Sequence, residues 1–268
     1  MAMTTKERAT ASLGYLLAPS GISVAEFYTK YCEKQPVCVK DDSPQHRHRF
    51  DGLLSIESIR QMMETKAMYY GRDLNVTRYE NSHKDGVKRR VTLDLVKASK
   101  SSNEASDDVE DTHVRSNPEI VWSQYEQGCT VRLLCPHQHA ESVHSLLSLL
   151  ELEMGCMVGS NAYLTPPGQS QGFAPHYDDI DAYCLQLEGR KRWKVYEPLS
   201  KAERLPRASS SDYTEDDLKD VKPVLDVILE AGDVLYMPRG WIHQAITLPG
   251  GGEKDEGHSL HLTVSAMQ

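Results

Sequence analysis

Several features that would place this chain in a membrane or a secretory pathway are missing from it. It has no apolar run of the roughly 18 residues that a membrane-spanning helix needs, and Met1–Leu13 shows no signal-peptide pattern. Its six cysteines are scattered and form no Cys-x-x-Cys pair, which favours reduced thiols. We therefore expect a soluble, intracellular protein with no membrane partner.

Positive charge is also scarce. The chain has 30 Lys and Arg against 39 Asp and Glu, a formal net charge of -9. The basic run Lys88-Arg89-Arg90 is too short to count as a targeting signal. This balance argues against direct nucleic-acid binding and is compatible with a basic protein or peptide as partner.

The hydrophobic pattern divides the 268 residues into three parts. Residues 1–22 are polar at their start and are expected to form a flexible N-terminus. Residues 23–128 mix helices with strands and contain a low-complexity stretch at 97–117, which we interpret as a solvated loop. Residues 129–268 are rich in short strands and glycine turns, which is typical of a double-stranded β-helix, or jelly roll. The predicted fold class is mainly β with flanking helices, and the helical N-terminal portion packs outside.

Periodicity predicts the individual elements. Helices are expected after the N-caps Ser23 and Ser55, over Ile120–Gln127 and, as the longest, over His139–Glu153. The predicted strands of the last part are Thr130–Leu134, Ser160–Leu164, His176–Asp178, Tyr183–Leu187, Lys191–Tyr196, Val224–Leu229, Val234–Met237, Trp241–Thr247 and Leu260–Val264.

A His-x-Asp pair on an extended segment places an imidazole and a carboxylate on one face, because side chains alternate along a strand. His176 and Asp178 form such a pair, and His243 follows a distant Pro-Arg-Gly turn. Two histidines and one carboxylate occupy one face of an octahedron and leave the other positions open, as in non-haem Fe(II) oxygenases. The sequence therefore predicts a metal site.

The pattern alone is not specific, since His83-x-Asp85 and His139-x-Glu141 also match it. The first lies in a polar turn that cannot bury a metal, and in the second the two side chains point apart on a helix. His258 and His261 compete with His243 for the third position. The alternative to a metal site is a buried, hydrogen-bonded histidine beside a surface aspartate.

A lysine on an apolar strand face is the second signal. Lys191 shares its face with Trp193 and Val195, whereas Arg192 and Lys194 share the solvated face. Burying an ammonium alone costs several kcal/mol, so Lys191 needs a counter-charge, and a dicarboxylate co-substrate would supply one. The alternative is a strand-end lysine that reaches water.

Two further strands present polar groups to one side, which favours a polar pocket over a packed core. They are Asn161, Tyr163 and Thr165 on one strand, and His261, Thr263 and Ser265 on the other.

Several segments resemble the JmjC ribosomal oxygenases, more closely the nucleolar branch than the Mina branch. They are Gly159–Pro167, Ser170–Asp179, Leu185–Trp193, Gly232–Gly240, His243–Ala245 and His258–Thr263. The similarity begins near Val24, extends to the C-terminus and is strongest from Cys129. It implies a JmjC, cupin-like jelly roll that uses Fe(II) with 2-oxoglutarate and O2 as co-substrates.

The resemblance also implies roles for particular side chains. The metal ligands would be His176, Asp178 and His243. The 2-oxoglutarate contacts would be Lys191 on the far carboxylate, Asn161 and Thr263. The positions on the substrate side would be Arg132, Tyr163 and Ser265.

The implied reaction converts 2-oxoglutarate to succinate and CO2 and hydroxylates Cβ of a histidine in a ribosomal protein, in the nucleus and within it the nucleolus. One alternative is the same iron chemistry on an N-methyl-lysine of histone H3, although no aromatic cage for methylammonium is identifiable. Others are a catalytically inactive binding module in ribosome assembly and a metal-dependent cupin of another class, against which Lys191 argues.

The chain departs from the family pattern in length. Family members continue with a helical dimerisation domain and a winged-helix domain, whereas this chain stops at Gln268. Both domains are expected to be absent, which leaves no basis for predicting a dimer. The stretches 97–117 and Pro249–Gly257 are longer than expected for the family, and one residue is added at Gly168-Gln169.

Overall fold

The computed structural model describes residues 3–81, 88–95, 114–168, 170–249 and 257–267. The predicted turn at 84–86, the pair His83-x-Asp85, most of the stretch 97–117 and most of the insertion after Pro249 lie outside these residues. No helix among the described residues is long and apolar enough to span a bilayer.

The α-helices of the described part include a long helix close to the predicted one. They are α1 (Thr5–Leu17), α2 (Val24–Lys30), α3 (Pro44–Arg47), α4 (Ile56–Thr65), α5 (Pro118–Glu126), α6 (Glu141–Met154) and α7 (Glu215–Leu218). The predicted caps are confirmed, since the Ser23 and Ser55 hydroxyls accept from the backbone N–H of Glu26 and Ser58.

The strands of the described part carry most of the fold. They are β1 (Val37–Val39), β2 (Leu74–Asn81), β3 (Lys88–Thr92), β4 (Thr130–Leu134), β5 (Met157–Thr165), β6 (Asp181–Tyr196), β7 (Leu225–Glu230), β8 (Val234–Met237), β9 (Ile242–Thr247) and β10 (Ser259–Met267).

The N-terminus is helical rather than flexible, so that prediction was wrong. Thr4 and Glu7 form a reciprocal capping box at the start of α1. Leu13 and Leu16 are fully buried in the main hydrophobic cluster. The sequence suggested a flexible segment because of its polar residues, such as Lys6 and Arg8. These residues lie on the exposed side of the same helix.

Two layers of antiparallel sheet form the predicted jelly roll. The larger layer runs in the order β1-β8-β6-β10-β5-β4-β2-β3. The smaller layer contains β7 and β9, which pair on either side of the C-terminal half of β6. The strand β6 therefore belongs to both layers and encloses the space between them.

The sequence predicted two strands where the structure has the single strand β6. A register shift at Leu260/His261 in the pairing with β10 accompanies Gly189, whose φ is 63°. A Cβ at Gly189 would lie 1.7 Å from the backbone oxygen of His258, so no other residue fits there. Cys184 and Lys191 both face the interior although they are seven residues apart, because the bulge interrupts the alternation.

The main hydrophobic cluster fills the space between the helices and the outer face of the larger sheet. Leu13, Phe27 and Ile59 pack from the helix side against β-strand residues such as Leu164 and Leu262. A second cluster, which includes Trp193 and Met237, lies between the two sheets. The helices therefore support the sheet from outside and leave one end of the interior free for polar side chains.

Candidate active site

A cavity opens between the two sheets, and the predicted metal ligands lie in its wall. Its other lining residues are Tyr163, Gly172, Phe173, Ala174, Ala182, Cys184, Lys191, Trp193, Met237, Gln244, Ala245, His261 and Thr263. These residues come from β5, β6, β8, β9, β10 and the loop before β6, so the cavity exists only in the folded chain.

His176, Asp178 and His243 converge at one point of this wall. His176 Nε2 lies 3.8 Å from Asp178 Oδ1, and His243 Nε2 lies 3.7 Å from Asp178 Oδ2. The three ligand atoms all lie within 4.8 Å of one another. They are the one group of this kind among the described residues. A single metal ion at the centre could bind all three.

The backbone around His176 differs from the predicted strand over 176–178. His176 forms an isolated β-bridge with His243, and Tyr177 and Asp178 are irregular. Asp178 is held instead through its carbonyl, which accepts a hydrogen bond from Gly240 N over 2.9 Å. The tight turn at Pro238–Gly240 thus hydrogen-bonds to the backbone of one predicted ligand, Asp178, and leads directly to another, His243.

Both imidazoles are oriented by hydrogen bonds to backbone carbonyls. His176 Nδ1 lies 2.8 Å from Ala174 O, and His243 Nδ1 lies 3.0 Å from Trp241 O. A proton on each Nδ1 leaves each Nε2 lone pair directed at the common centre. Burial, and then the charge of His176, lower the pKa of His243 to about 4, so that ring is neutral near pH 7 and in its ligand form.

Lys191 lies on the same interior face and is only 4% exposed. Its Nζ donates to Thr165 Oγ1 over 3.0 Å, and that hydroxyl lies 3.1 Å from Thr130 Oγ1. Burial lowers the pKa of Lys191 to about 7, and the nearby Cys184 thiol opposes this shift only in part. An anionic ligand in the cavity would raise the pKa of Lys191 again and keep its ammonium charged.

Of the other two predicted co-substrate residues, one lines the cavity and one does not. Thr263 lines the cavity, with its Oγ1 3.7 Å from Cys184 Sγ. Asn161 is not in the lining, and with its amide turned so that the oxygen faces Arg132, that oxygen accepts from Arg132 Nη2 over 2.9 Å.

Of the three predicted substrate residues, only Tyr163 lines the cavity. Tyr163 lines the cavity, and Arg132 lies over its ring at 5.5 Å and over the Phe173 ring at 5.8 Å. Ser265 is half-buried and does not line the cavity. Burial raises the pKa of Tyr163 to about 12, so its hydroxyl stays protonated and can donate.

Among the described residues, the other histidines that match the sequence pattern do not join the predicted metal cluster. His258 Nε2 pairs with Glu188 over 3.0 Å, and His139 Nε2 lies 3.4 Å from Asp73 Oδ1. His261 is in the cavity wall, stacked on Tyr163 with ring centroids 4.8 Å apart. The sequence placed His261 on the polar pocket face of its strand and suggested it only as a rival third metal ligand, not as a residue with a role of its own.

The JmjC domain family model matches residues 132–268, just over half of the chain. The chain belongs to the JmjC domain family. The matched range contains the three predicted metal ligands, Lys191 and all the other cavity-lining residues, so family membership and site geometry refer to the same part of the molecule.

Curated relatives of this JmjC chain are ribosomal oxygenases. It is 39% identical over 265 residues to ribosomal oxygenase 1 of Homo sapiens, covering 99% of this chain and 36% of the relative. It is 40% identical over 257 residues to the bifunctional lysine-specific demethylase and histidyl-hydroxylase NO66 of Drosophila persimilis, covering 96% and 32%. This JmjC chain thus spans about a third of the length of these relatives.

Solved structures confirm the fold. Escherichia coli ribosomal oxygenase YcfD superposes with a TM-score of 0.54 at 20% identity, over 91% of this chain and 51% of that one. YcfD in complex with cobalt and 2-oxoglutarate superposes with a TM-score of 0.53 at 19% identity, over 90% and 50%. The mainly antiparallel JmjC jelly roll predicted from the sequence is therefore correct.

Proposed function

We propose that this JmjC chain is an Fe(II)- and 2-oxoglutarate-dependent oxygenase that hydroxylates a histidine of a ribosomal protein. One observation carries the proposal: a two-histidine-one-carboxylate cluster lines the same cavity as a buried lysine that has no carboxylate partner among the described residues. The cluster matches the donor set of non-haem Fe(II) oxygenases, and the lysine matches a dicarboxylate. The names of the relatives support histidine as the hydroxylated residue and a ribosomal protein as the substrate.

His176, Asp178 and His243 would hold the metal. When bound, Fe(II) with 2-oxoglutarate and O2 supplies the oxidation, in which 2-oxoglutarate becomes succinate and CO2 and one oxygen atom enters a C–H bond of the substrate. The protein contributes ligands that are already oriented, because both Nδ1 atoms are bonded to carbonyls. The three protein ligands leave the remaining positions of an octahedral metal to the co-substrates.

Lys191 would bind the far carboxylate of 2-oxoglutarate. Its ammonium is buried and donates a hydrogen bond to the Thr165 hydroxyl. A carboxylate at this position would raise the lysine pKa from about 7 and keep the ammonium charged. Thr263 adds a residue to the lining of the same cavity, whereas Asn161 would act through Arg132.

The target side chain would enter along Tyr163 and Phe173. The guanidinium of Arg132 already lies over both rings. A second cation on those faces would be repelled, which favours a neutral imidazole over a methylammonium. We therefore prefer histidine hydroxylation to demethylation of histone H3, and Arg132, Tyr163 and Ser265 stay proposed substrate contacts.

Wider biological context rests on the relatives alone. A ribosomal protein substrate is basic, which suits a chain of net charge -9. A nucleolar location would follow from that substrate. Binding to histone H3 and dimerisation are further proposals for the whole protein.

The deciding experiment offers both substrate classes to one enzyme. The protein is incubated with Fe(II), 2-oxoglutarate, O2 and either ribosomal histidine peptides or methylated H3 tails, and the peptides are weighed by mass spectrometry. We expect one added oxygen on histidine and no loss of methyl groups. The His176→Ala variant is the control for adventitious oxidation. Demethylation without hydroxylation, or no turnover together with no bound iron, would reject the proposal.

A further inference from the structure

His261 is a second buried polar group in the wall of the cavity, beside Lys191. Its side chain is 3% exposed, and its Nδ1 is enclosed with no hydrogen-bond partner in the described part of the chain. An enclosed polar atom without a partner is costly, and folded proteins rarely contain one without a reason. Because His261 lines the cavity, a ligand that enters can lie against its ring.

The plane of the His261 ring is set by two aromatic neighbours. It stacks on Tyr163 with an interplanar angle of 6° and meets the edge of Trp193 at 82°, with centroids 5.2 Å apart. These contacts on two sides prevent the imidazole from turning away to reach water. The ring is thus oriented by the protein before any ligand arrives.

His261 and Lys191 are neighbours that face the same space. Burial first, and then the charge of Lys191, hold the pKa of His261 well below its usual range. A neutral imidazole carries one N–H donor, and the ammonium of Lys191 carries three. Among the described residues Lys191 has only the Thr165 hydroxyl as a hydrogen-bond partner. Two adjacent donors that have no carboxylate acceptor in the described part of the chain predict an anion between them.

We propose that His261 is a co-substrate-binding residue: its imidazole donates a hydrogen bond to the carboxylate that Lys191 holds at the far end of 2-oxoglutarate. This inference rests on the proposed function, because it requires a dicarboxylate at Lys191. Its consequence reaches the substrate side, since the ring that contacts the co-substrate also stacks on Tyr163. One side chain therefore connects the two binding regions.

Two substitutions separate the hydrogen bond from the stacking. His261→Phe keeps a flat ring beside Tyr163 and removes both nitrogens, whereas His261→Gln keeps a donor and removes the ring. Binding of 2-oxoglutarate is measured without O2, with Mn(II) in place of Fe(II), by calorimetry. We expect the Phe variant to bind about 10- to 100-fold more weakly, as for a lost hydrogen bond to a charged group, and the Gln variant within about 5-fold of the wild type. Mn(II) affinity should not change in either variant.

A ligand without the far carboxylate locates the contact. The Phe variant should bind 2-oxopentanoate as tightly as the wild type does, because that ligand cannot reach His261. An equal loss for both ligands, or no loss for 2-oxoglutarate, would overturn the inference. Failure of the wild type to bind 2-oxoglutarate, or unchanged binding in Lys191→Met, would instead reject the proposed function.

A measurement on the unsubstituted protein covers the case in which the Phe variant does not fold. With 15N-labelled histidine, the ring-nitrogen signals of His261 should shift when 2-oxoglutarate is added and stay unchanged with 2-oxopentanoate. Unchanged signals with 2-oxoglutarate bound would overturn the inference.

Discussion

The backbones of His176 and His243 are hydrogen-bonded to each other in both directions. His243 N donates to His176 O over 2.8 Å, and His176 N donates to His243 O over 3.2 Å. The separation of the two proposed ligands is therefore set by a ladder pair rather than by their side chains. The site is organised by the protein alone, since none of these bonds requires a metal.

Removing one imidazole should abolish metal binding and leave the fold. His176→Ala deletes a ligand atom, while its backbone bonds to His243 persist. We expect metal affinity to fall by more than about 100-fold, beyond the loss typical of supporting residues. Mn(II) titration measures the affinity, and circular dichroism checks the fold. His144→Ala, on the exposed side of α6, is the control and should bind metal normally.

Lys191→Met should stabilise the ligand-free protein near neutral pH. The pKa of Lys191 is about 7 when folded and about 10.5 when unfolded. Between these values the unfolded chain binds more protons, so wild-type stability rises with pH relative to the Met variant, at about 1.4 kcal/mol per pH unit at most. At pH 7 and below the Met variant should be more stable by about 2–4 kcal/mol.

Chemical denaturation at pH 7 and pH 10 measures this difference, which should shrink as the pH rises. Addition of 2-oxoglutarate should stabilise the wild type and not the Met variant. An advantage for the Met variant that grows with pH would contradict the buried, ligand-free ammonium.

Asp181 should be important for the turn that carries His243. Its carboxylate is fully buried and accepts from Arg239 N over 2.9 Å and from the Tyr236 hydroxyl over 2.7 Å. In Asp181→Ala both donors lose this acceptor, so we expect a loss of about 3 kcal/mol in unfolding free energy and weaker metal binding. Tyr236→Phe removes only one of these bonds and should cost about 1 kcal/mol. Equal metal affinity in all three proteins would show that the turn does not position the ligands.

Gly189 should be irreplaceable, whereas Gly155 should tolerate alanine. Both have positive φ, 63° and 67°, but only at Gly189 would a Cβ meet a backbone oxygen. Gly155→Ala should lower the free energy of unfolding by about 1 kcal/mol, the usual cost of a left-handed backbone conformation for a residue with a Cβ. Gly189→Ala should cost more than about 3 kcal/mol and weaken 2-oxoglutarate binding, because the bulge turns Lys191 inward. Thermal unfolding and calorimetry distinguish the two variants.

The N-terminal helix should contribute to the stability of the whole domain. Leu13 is fully buried against the outer face of the larger sheet, and Leu13→Ala should cost about 2–5 kcal/mol. Lys6→Ala on the exposed side should change stability by less than about 0.5 kcal/mol. A single cooperative unfolding transition with unchanged stability in Leu13→Ala would show that α1 is dispensable.

Local pattern predicted most elements because burial on one face imposes a period. The alternation on β10 separated Leu260 and Leu262, which pack in the main cluster, from His261 and Thr263, which face the cavity. The same rule failed for the N-terminus, where apolar residues follow a polar first turn, and at the centre of β6. There the pattern reads as two strands, because a bulge changes the parity of the inward residues.

The sequence by itself determined the residue types of the site and which side of each strand they occupy, since covalent geometry fixes the alternation. Only the tertiary structure decided which of these side chains meet. It brought His243 to His176 through a backbone bridge, turned Lys191 inward through the Gly189 bulge and left Asn161 on Arg132. These outcomes depend on strand register between distant segments, and register is a property of the packed sheets rather than of any one strand.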